Sequence, residues 1–144
     1  MLDKTLNIRG TLTSLATPLV MGILNITPDS FYAGSRKQTE TAIEDRIREI
    51  LSEGGDWIDI GGYSSRSDAA EVTPEEEMRR LEFALHILNK HYPDIPVSVD
   101  TFRAGIARRC VEEYGAAIIN DISGGELDAD MFQTVADLKV PYIM

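Results

Sequence analysis

Four short apolar runs punctuate the chain: residues 19–25 (LVMGILN), 57–60 (WIDI), 97–100 (VSVD) and 117–121 (AIIND). Each is rich in Ile and Val and is bounded by Gly, Asp or Asn, so each reads as a buried strand. Between them the apolar positions recur at helical spacing. Thr73 stands as an N-cap, Pro74 takes the first helical position and Glu76 the third, and Met78, Leu81, Leu85 and Leu88 then form one stripe. A stripe of Ile43, Ile47, Ile50 and Leu51 ends at Gly54, and one of Ile106, Cys110, Val111 and Tyr114 ends at Gly115. Both glycines suit the left-handed position just past a helix. Met131 and Val135 mark a fourth helix, which leads into a fifth strand at VPYIM. Ahead of the first strand, LNIRGTLTSLATP alternates polar and apolar residues around Arg9-Gly10, the pattern of a hairpin.

Strands alternating with helices predict a parallel sheet with right-handed crossovers. Two architectures have that order. One is a flavodoxin-like doubly wound domain of about five strands; the other is a (β/α)₈ TIM barrel, which needs roughly twice the residues. The leading hairpin and the strand at the end of the chain favour a barrel cut in half. On that reading the chain holds the hairpin, about four βα units and strand 5. The echo between GGDWIDIGG and YGAAIINDISGG fits successive βα units.

Composition narrows the partners. The 144 residues are 43% apolar and 26% charged, which suits one globular domain. A net charge of −10 spread over helical segments argues against nucleic acid and anionic membrane, so an anionic ligand needs local attraction. The single cysteine, Cys110, has apolar neighbours; no disulfide forms within the chain and a core thiol is expected. Neither a bilayer-spanning stretch nor a signal core is present, so the expected location is the cytoplasm. No dinucleotide-type glycine fingerprint follows a strand. His86 and His91, five apart on one helix, do not share a face and make no zinc pair.

The chemistry gathers at the carboxyl ends of the strands, where Asn25, Asp59, Asp100 and Asn120 with Asp121 appear in turn. In an α/β protein those ends share one ligand-binding rim. Asp100 offers acceptors and Asn120 an amide that both gives and accepts, a set able to read a pterin or purine edge. Asp59 adds an acceptor, or serves the backbone. In GGYSSRSD, Ser64, Ser65 and Arg66 stand behind two glycines, a combination suited to phosphate or carboxylate. Asn25 offers a hard oxygen to a cation such as Mg²⁺.

Four segments carry a resemblance: GILNITPDSF (22–31), GGDWIDIGGYSSRS (54–67), SVDTFRAGIA (98–107) and IINDISGG (118–125). In order and spacing they resemble the successive motifs of the dihydropteroate synthases, from about residue 20 onward. The resemblance implies a (β/α)₈ barrel that joins p-aminobenzoate to 6-hydroxymethyl-7,8-dihydropterin diphosphate, releasing pyrophosphate, with Mg²⁺. Asn25 matches the family's metal and diphosphate asparagine, while Asp100 and Asn120 match pterin-binding residues. Ser65 and Arg66 match the Thr-Arg of a loop at the diphosphate and p-aminobenzoate sites. Thr27 to Phe31 match a second loop that folds over the reacting groups, where Phe31 shields them or packs on the aromatic ring. The implied catalytic set is Asn25, Asp100 and Arg66; Ser65, Asp59, Asp100, Asn120, Thr27 and Phe31 bind substrate.

Three positions depart from the family pattern: Ala33 stands where Asp is common, Tyr63 where Glu is, and Ser67 where Pro is usual. The family's later motifs, with a further Asp, a Lys, an Arg and a His, lie beyond its fifth strand. Residues 1–144 are therefore expected to be the amino-terminal half of a single pterin-binding domain, inactive alone, whose parent enzyme is a homodimer. Two alternatives stay open at this point. One is a pterin-binding methyltransferase domain that passes the methyl of methyltetrahydrofolate to a corrinoid; the other is a complete, non-catalytic five-stranded module.

Overall fold

The computed structural model describes residues 4–26, 36–63 and 72–144, with the backbone alone for Arg36 and Lys37. A hairpin of β1 (Thr5–Ile8) and β2 (Thr11–Ser14) comes first. Its two-residue loop has positive φ at both Arg9 (51°) and Gly10 (84°), the primed-turn geometry whose twist matches that of paired strands. The Arg9 side chain then donates to the carbonyls of Gly115 (3.1 Å) and Pro93 (2.9 Å), which fastens the hairpin to the rest of the fold.

The remaining elements alternate: β3 (Met21–Asn25), α1 (Arg36–Ser52), β4 (Trp57–Gly61), α2 (Pro74–His91), β5 (Val97–Asp100), α3 (Ala104–Tyr114), β6 (Ile118–Asn120), α4 (Met131–Leu138) and β7 (Tyr142–Ile143). Local chemistry sets the helix ends. Thr73 Oγ1 accepts the Glu76 N–H at 3.2 Å, and Gly115 closes α3 in the left-handed conformation at φ 71°. The Glu76 carboxylate is itself held by Arg79 and Arg80.

Strand order decides between the two expected architectures. All five strands pair in parallel in the order β3-β4-β5-β6-β7, with no reversal. A doubly wound sheet needs a reversal to place helices on both faces. Here Ile43 and Ile47 of α1, Leu81, Leu85 and Leu88 of α2, Ile106 and Cys110 of α3 and Met131 of α4 all join one apolar core with Leu24, Ile58, Ile60, Val97, Val99 and Ile119. Among the described residues, the helix of each crossover packs on the same face, as in a barrel wall.

The opposite face is divided. Toward the strands' amino ends, Trp57, Ala117 and Ile118 pack with Ile8, joined by the partly buried Leu6, Leu15, Leu19 and Met21. The hairpin thus plugs that end. The carboxyl ends of the same face carry no such cover among the described residues, and there Ile23 on β3 is 58% exposed.

Candidate functional site

Alternation along the strands decides which side chains meet. In the ladders, Asn25 is level with Gly61, Gly61 with Asp100, and Asp100 with Asn120. Two residues earlier Asp59 is level with Ser98. Since a strand's period is two, all of these project from the face opposite the helices. Gly61 leaves a gap in the row: a Cβ there would lie 3.5 Å from Asn25 Oδ1 and 3.6 Å from Asp100 Oδ2. The asparagine and the aspartate therefore converge over a residue with no side chain. Gly62 is required for another reason, because a Cβ there would meet the Glu77 carbonyl oxygen at 2.9 Å. These glycines reflect close approach rather than loop freedom alone.

Beneath the rim, the Asn120 amide donates to Asp59 Oδ2 at 3.1 Å, spanning the width of β5. The other oxygen, Asp59 Oδ1, and the Ser98 hydroxyl are fully enclosed and make no hydrogen bond. Both atoms lie too deep below the rim for a ligand to reach, and the Ser98 hydroxyl, level with Asp59 on the neighbouring strand, eases part of the cost of enclosing that carboxyl. Burial pushes the Asp59 carboxyl up, with the nearby Ser98 hydroxyl and the Asn120 amide offsetting part of that rise. Asp100 is pushed up to about 6, first by burial and then by the negative charges of Asp59, Glu77 and Asp121. An acidic pocket of this kind gains most from a ligand that brings N–H donors.

Sequence reasoning placed Asp121 on the same rim, and the structure corrects that. Asp121 faces the other way and is fully buried; its carboxylate accepts from the Tyr142 hydroxyl (2.7 Å), the Ser123 hydroxyl (2.7 Å) and the Gly125 N–H (3.0 Å). Burial opposes its charge, but these hydrogen bonds outweigh it and hold the carboxyl below its ordinary value. Asp121 shapes the turn after β6.

Asn25, Asp59, Asp100 and Asn120 come together as expected, whereas Thr27, Phe31, Ser65 and Arg66 lie outside the described residues, as do Ala33 and Ser67. Ser98 escaped the sequence reading, although its place two residues before Asp100 puts it on the same face. Cys110 is a core residue with its thiol pushed up to about 12 by burial, far from any nucleophilic role. A groove of about 640 Å³ between α1 and α2, lined by residues such as Arg79, Phe83 and His86, lies on the helix side of the sheet, so groove size does not mark this site.

Residues 21–144 match the family of pterin binding enzymes. The chain belongs to that family. It is 40% identical over 126 residues to the Bacillus subtilis dihydropteroate synthase, covering 88% of this chain and 44% of that one. It is 44% identical over 126 residues to the Pneumocystis carinii folic acid synthesis protein fol1, covering 88% of this chain and 17% of the relative. A solved Xanthomonas albilineans dihydropteroate synthase with 4-aminobenzoic acid superimposes with a TM-score of 0.81 at 36% identity, over 98% of this chain and 50% of that one. The chain thus spans about half the length of that synthase. These relatives bear out the expected resemblance to the amino-terminal half of a synthase barrel.

Proposed function

We propose that residues 1–144 form the first half of a pterin-binding domain whose complete protein is a dihydropteroate synthase, and that this half is inactive alone. The observation that carries the reading is the convergence of Asn25 and Asp100 over Gly61, with Asn120 level with Asp100 on the same face. In this reading Asp100 and Asn120 receive the donor and acceptor edge of 6-hydroxymethyl-7,8-dihydropterin diphosphate, with Asp59 beneath them. Its diphosphate lies toward Asn25. Ser65 and Arg66 bind the diphosphate and p-aminobenzoate, while Thr27 and Phe31 cover them.

The amine of p-aminobenzoate attacks the pterin methylene. The C–N bond forms, the C–O bond breaks with its electron pair leaving on pyrophosphate, and the amine proton is released to water. The protein's work is placement of the two substrates and stabilisation of the departing charge. A hard cation fits the donor set, because Asn25 is exposed at the end of β3 and its Oδ1 lies beside the Gly61 gap. Asn25 would hold Mg²⁺ there, and the ion would supply Lewis-acid stabilisation to the leaving diphosphate.

A homodimer of the complete protein in the cytoplasm goes with this reading. Among the described residues no helix is long and apolar enough to cross a membrane. The test is condensation of the two substrates by the complete protein, with the 144-residue half run beside it. Asn25→Ala and Asp100→Ala are expected to abolish most of the turnover. Near-normal turnover in either variant removes that residue's role, and methyl transfer from methyltetrahydrofolate without condensation replaces the reading with the methyltransferase one.

A further inference from the structure

Of the acidic and amide side chains on the polar face, Asp59 alone is buried: it is 5% exposed, while Asp100 and Asn120 are partly buried and Asn25 is exposed. One of its carboxylate oxygens is fully enclosed. The other accepts from the Asn120 amide at 3.1 Å, from β6 across β5 to β4. A ligand on the rim therefore meets Asn120 and Asp100, with Asp59 behind them. The Asp59 bond decides which end of the Asn120 amide is left over. An amide gives or accepts according to which way it is turned, but an ionised carboxylate only accepts, so it holds the amide nitrogen toward itself. The planar group then leaves its carbonyl oxygen for other partners. Among the described residues no donor is bonded to that oxygen or to the Asp100 carboxylate, which stands level with Asn120 on the next strand. Paired strands lie about 4.8 Å apart, so the two acceptors stand side by side.

We propose that Asp59 is a positioning residue that fixes the Asn120 amide, so that its carbonyl oxygen stands beside the Asp100 carboxylate and the pair selects a heterocycle edge carrying N–H donors. The proposal rests on the pterin reading for its ligand class. An exocyclic amino group next to a ring N–H supplies donors to both acceptors. An oxo group in place of the amino group sets oxygen against oxygen and leaves an acceptor unpaired, which costs about 1–3 kcal/mol. Without Asp59 the Asn120 amide can turn over and meet an oxo group with its nitrogen. The discrimination thus comes from a side chain that the ligand does not touch.

The test is a ratio of two affinities, measured by calorimetry on the complete protein. The probes are 2-amino-4-oxopteridine and 2,4-dioxopteridine, which differ in the group at carbon 2. The wild type is expected to prefer the amino compound about 100-fold. Asp59→Asn keeps the shape of the side chain but can receive Asn120 either way round. It is expected to narrow the preference to about tenfold or less, with the amino compound weakened and the oxo compound not. An unchanged ratio overturns the proposal, including one in which both affinities fall together, the mark of a structural role alone. Exchange of the Asn120 side-chain amide protons with water is expected to quicken about tenfold in the variant, and unchanged exchange also overturns the proposal. If Asp59→Asn loses cooperative unfolding, Asp59→Ala, which removes the acceptor outright, decides by the same two measurements. Should neither pteridine bind the wild type, the pterin reading falls and the amide exchange alone decides the role of Asp59.

Discussion

The two faces of the parallel sheet obey different rules, although the same strands build both. Toward the helices, Ile58, Ile60, Val97, Val99 and Ile119 are almost wholly removed from water and meet apolar stripes from four helices. On the other face the same strands present Asp59 and Gly61, Ser98 and Asp100, and Asn120. There the apolar cover is local, supplied by the hairpin around Trp57 and Ile118, and it stops short of the carboxyl ends. The first face is built for packing. The second tolerates carboxyl groups raised by burial, a cost that makes sense where a ligand brings donors to Asp100. Stability and binding are thus separated by a single residue's step along each strand.

That separation can be attacked from both sides in the complete protein. Leu85→Ala removes a side chain with no exposed surface from the helix-side core, and is expected to cost about 3–4 kcal/mol in urea denaturation, with substrate KM values unaffected wherever the variant remains folded. Asp100→Ala should do the reverse. Loss of charge-assisted hydrogen bonds is expected to weaken pterin binding about 100-fold by calorimetry, with no loss of stability near neutral pH. A matching fall in stability would show that Asp100 belongs to the packing.

The next effect is smaller and depends on pH. Asp100 has its carboxyl raised to about 6 in the fold, above its ordinary value of 3.8. Below the ordinary value the group is protonated in both folded and unfolded chains and contributes nothing. As the pH rises toward 6 the unfolded chain releases its proton first, so folding stability falls and the deficit persists above 6. Asp100→Asn should remove that deficit, adding on the order of 1 kcal/mol at pH 7.5 and nothing at pH 3, since water still reaches part of the carboxyl. Pterin affinity in the wild type is expected to drop below pH 6, because N–H donors favour the ionised carboxylate. An affinity flat from pH 5 to 8 would contradict this. Smallest is Ser98→Ala: deleting the enclosed hydroxyl beside Asp59 should leave stability within about 0.5 kcal/mol and pterin binding within about twofold, because the Ser98 side chain has no surface for a ligand to touch.

Much of this division was legible in the sequence. The helix stripes, the Thr73 cap, the Gly115 terminus, the Arg9-Gly10 hairpin and the five strands all follow from local periodicity and turn chemistry. Asn25, Asp59, Asp100 and Asn120 could be named because each interrupts an apolar run at its carboxyl end. Other features were not legible for specific reasons. Asp121 directly follows Asn120, yet the strand's alternation turns it to the opposite face, where the turn after β6 and Tyr142 occupy it. Glu77 sits four residues before Leu81 on the packed face of its helix, and only the nearby Thr101 and Arg103 explain a buried carboxylate there.

By itself, the sequence determined the kinds and order of elements and the polar residues that end each strand, since those depend on neighbours within a few positions. The tertiary structure decided that the strands line up without a reversal, so that the four described helices cover one face. It also decided that Gly61 opens the space between Asn25 and Asp100, that Asn120 reaches Asp59 across β5, and that Arg103 gathers the Glu77 and Val72 groups. These outcomes depend on which strand lies beside which, and on side chains as far apart in the chain as Asp59 and Asn120 competing for the same hydrogen-bonding partners. Local sequence holds no record of that competition; packing the helices onto one face settles it.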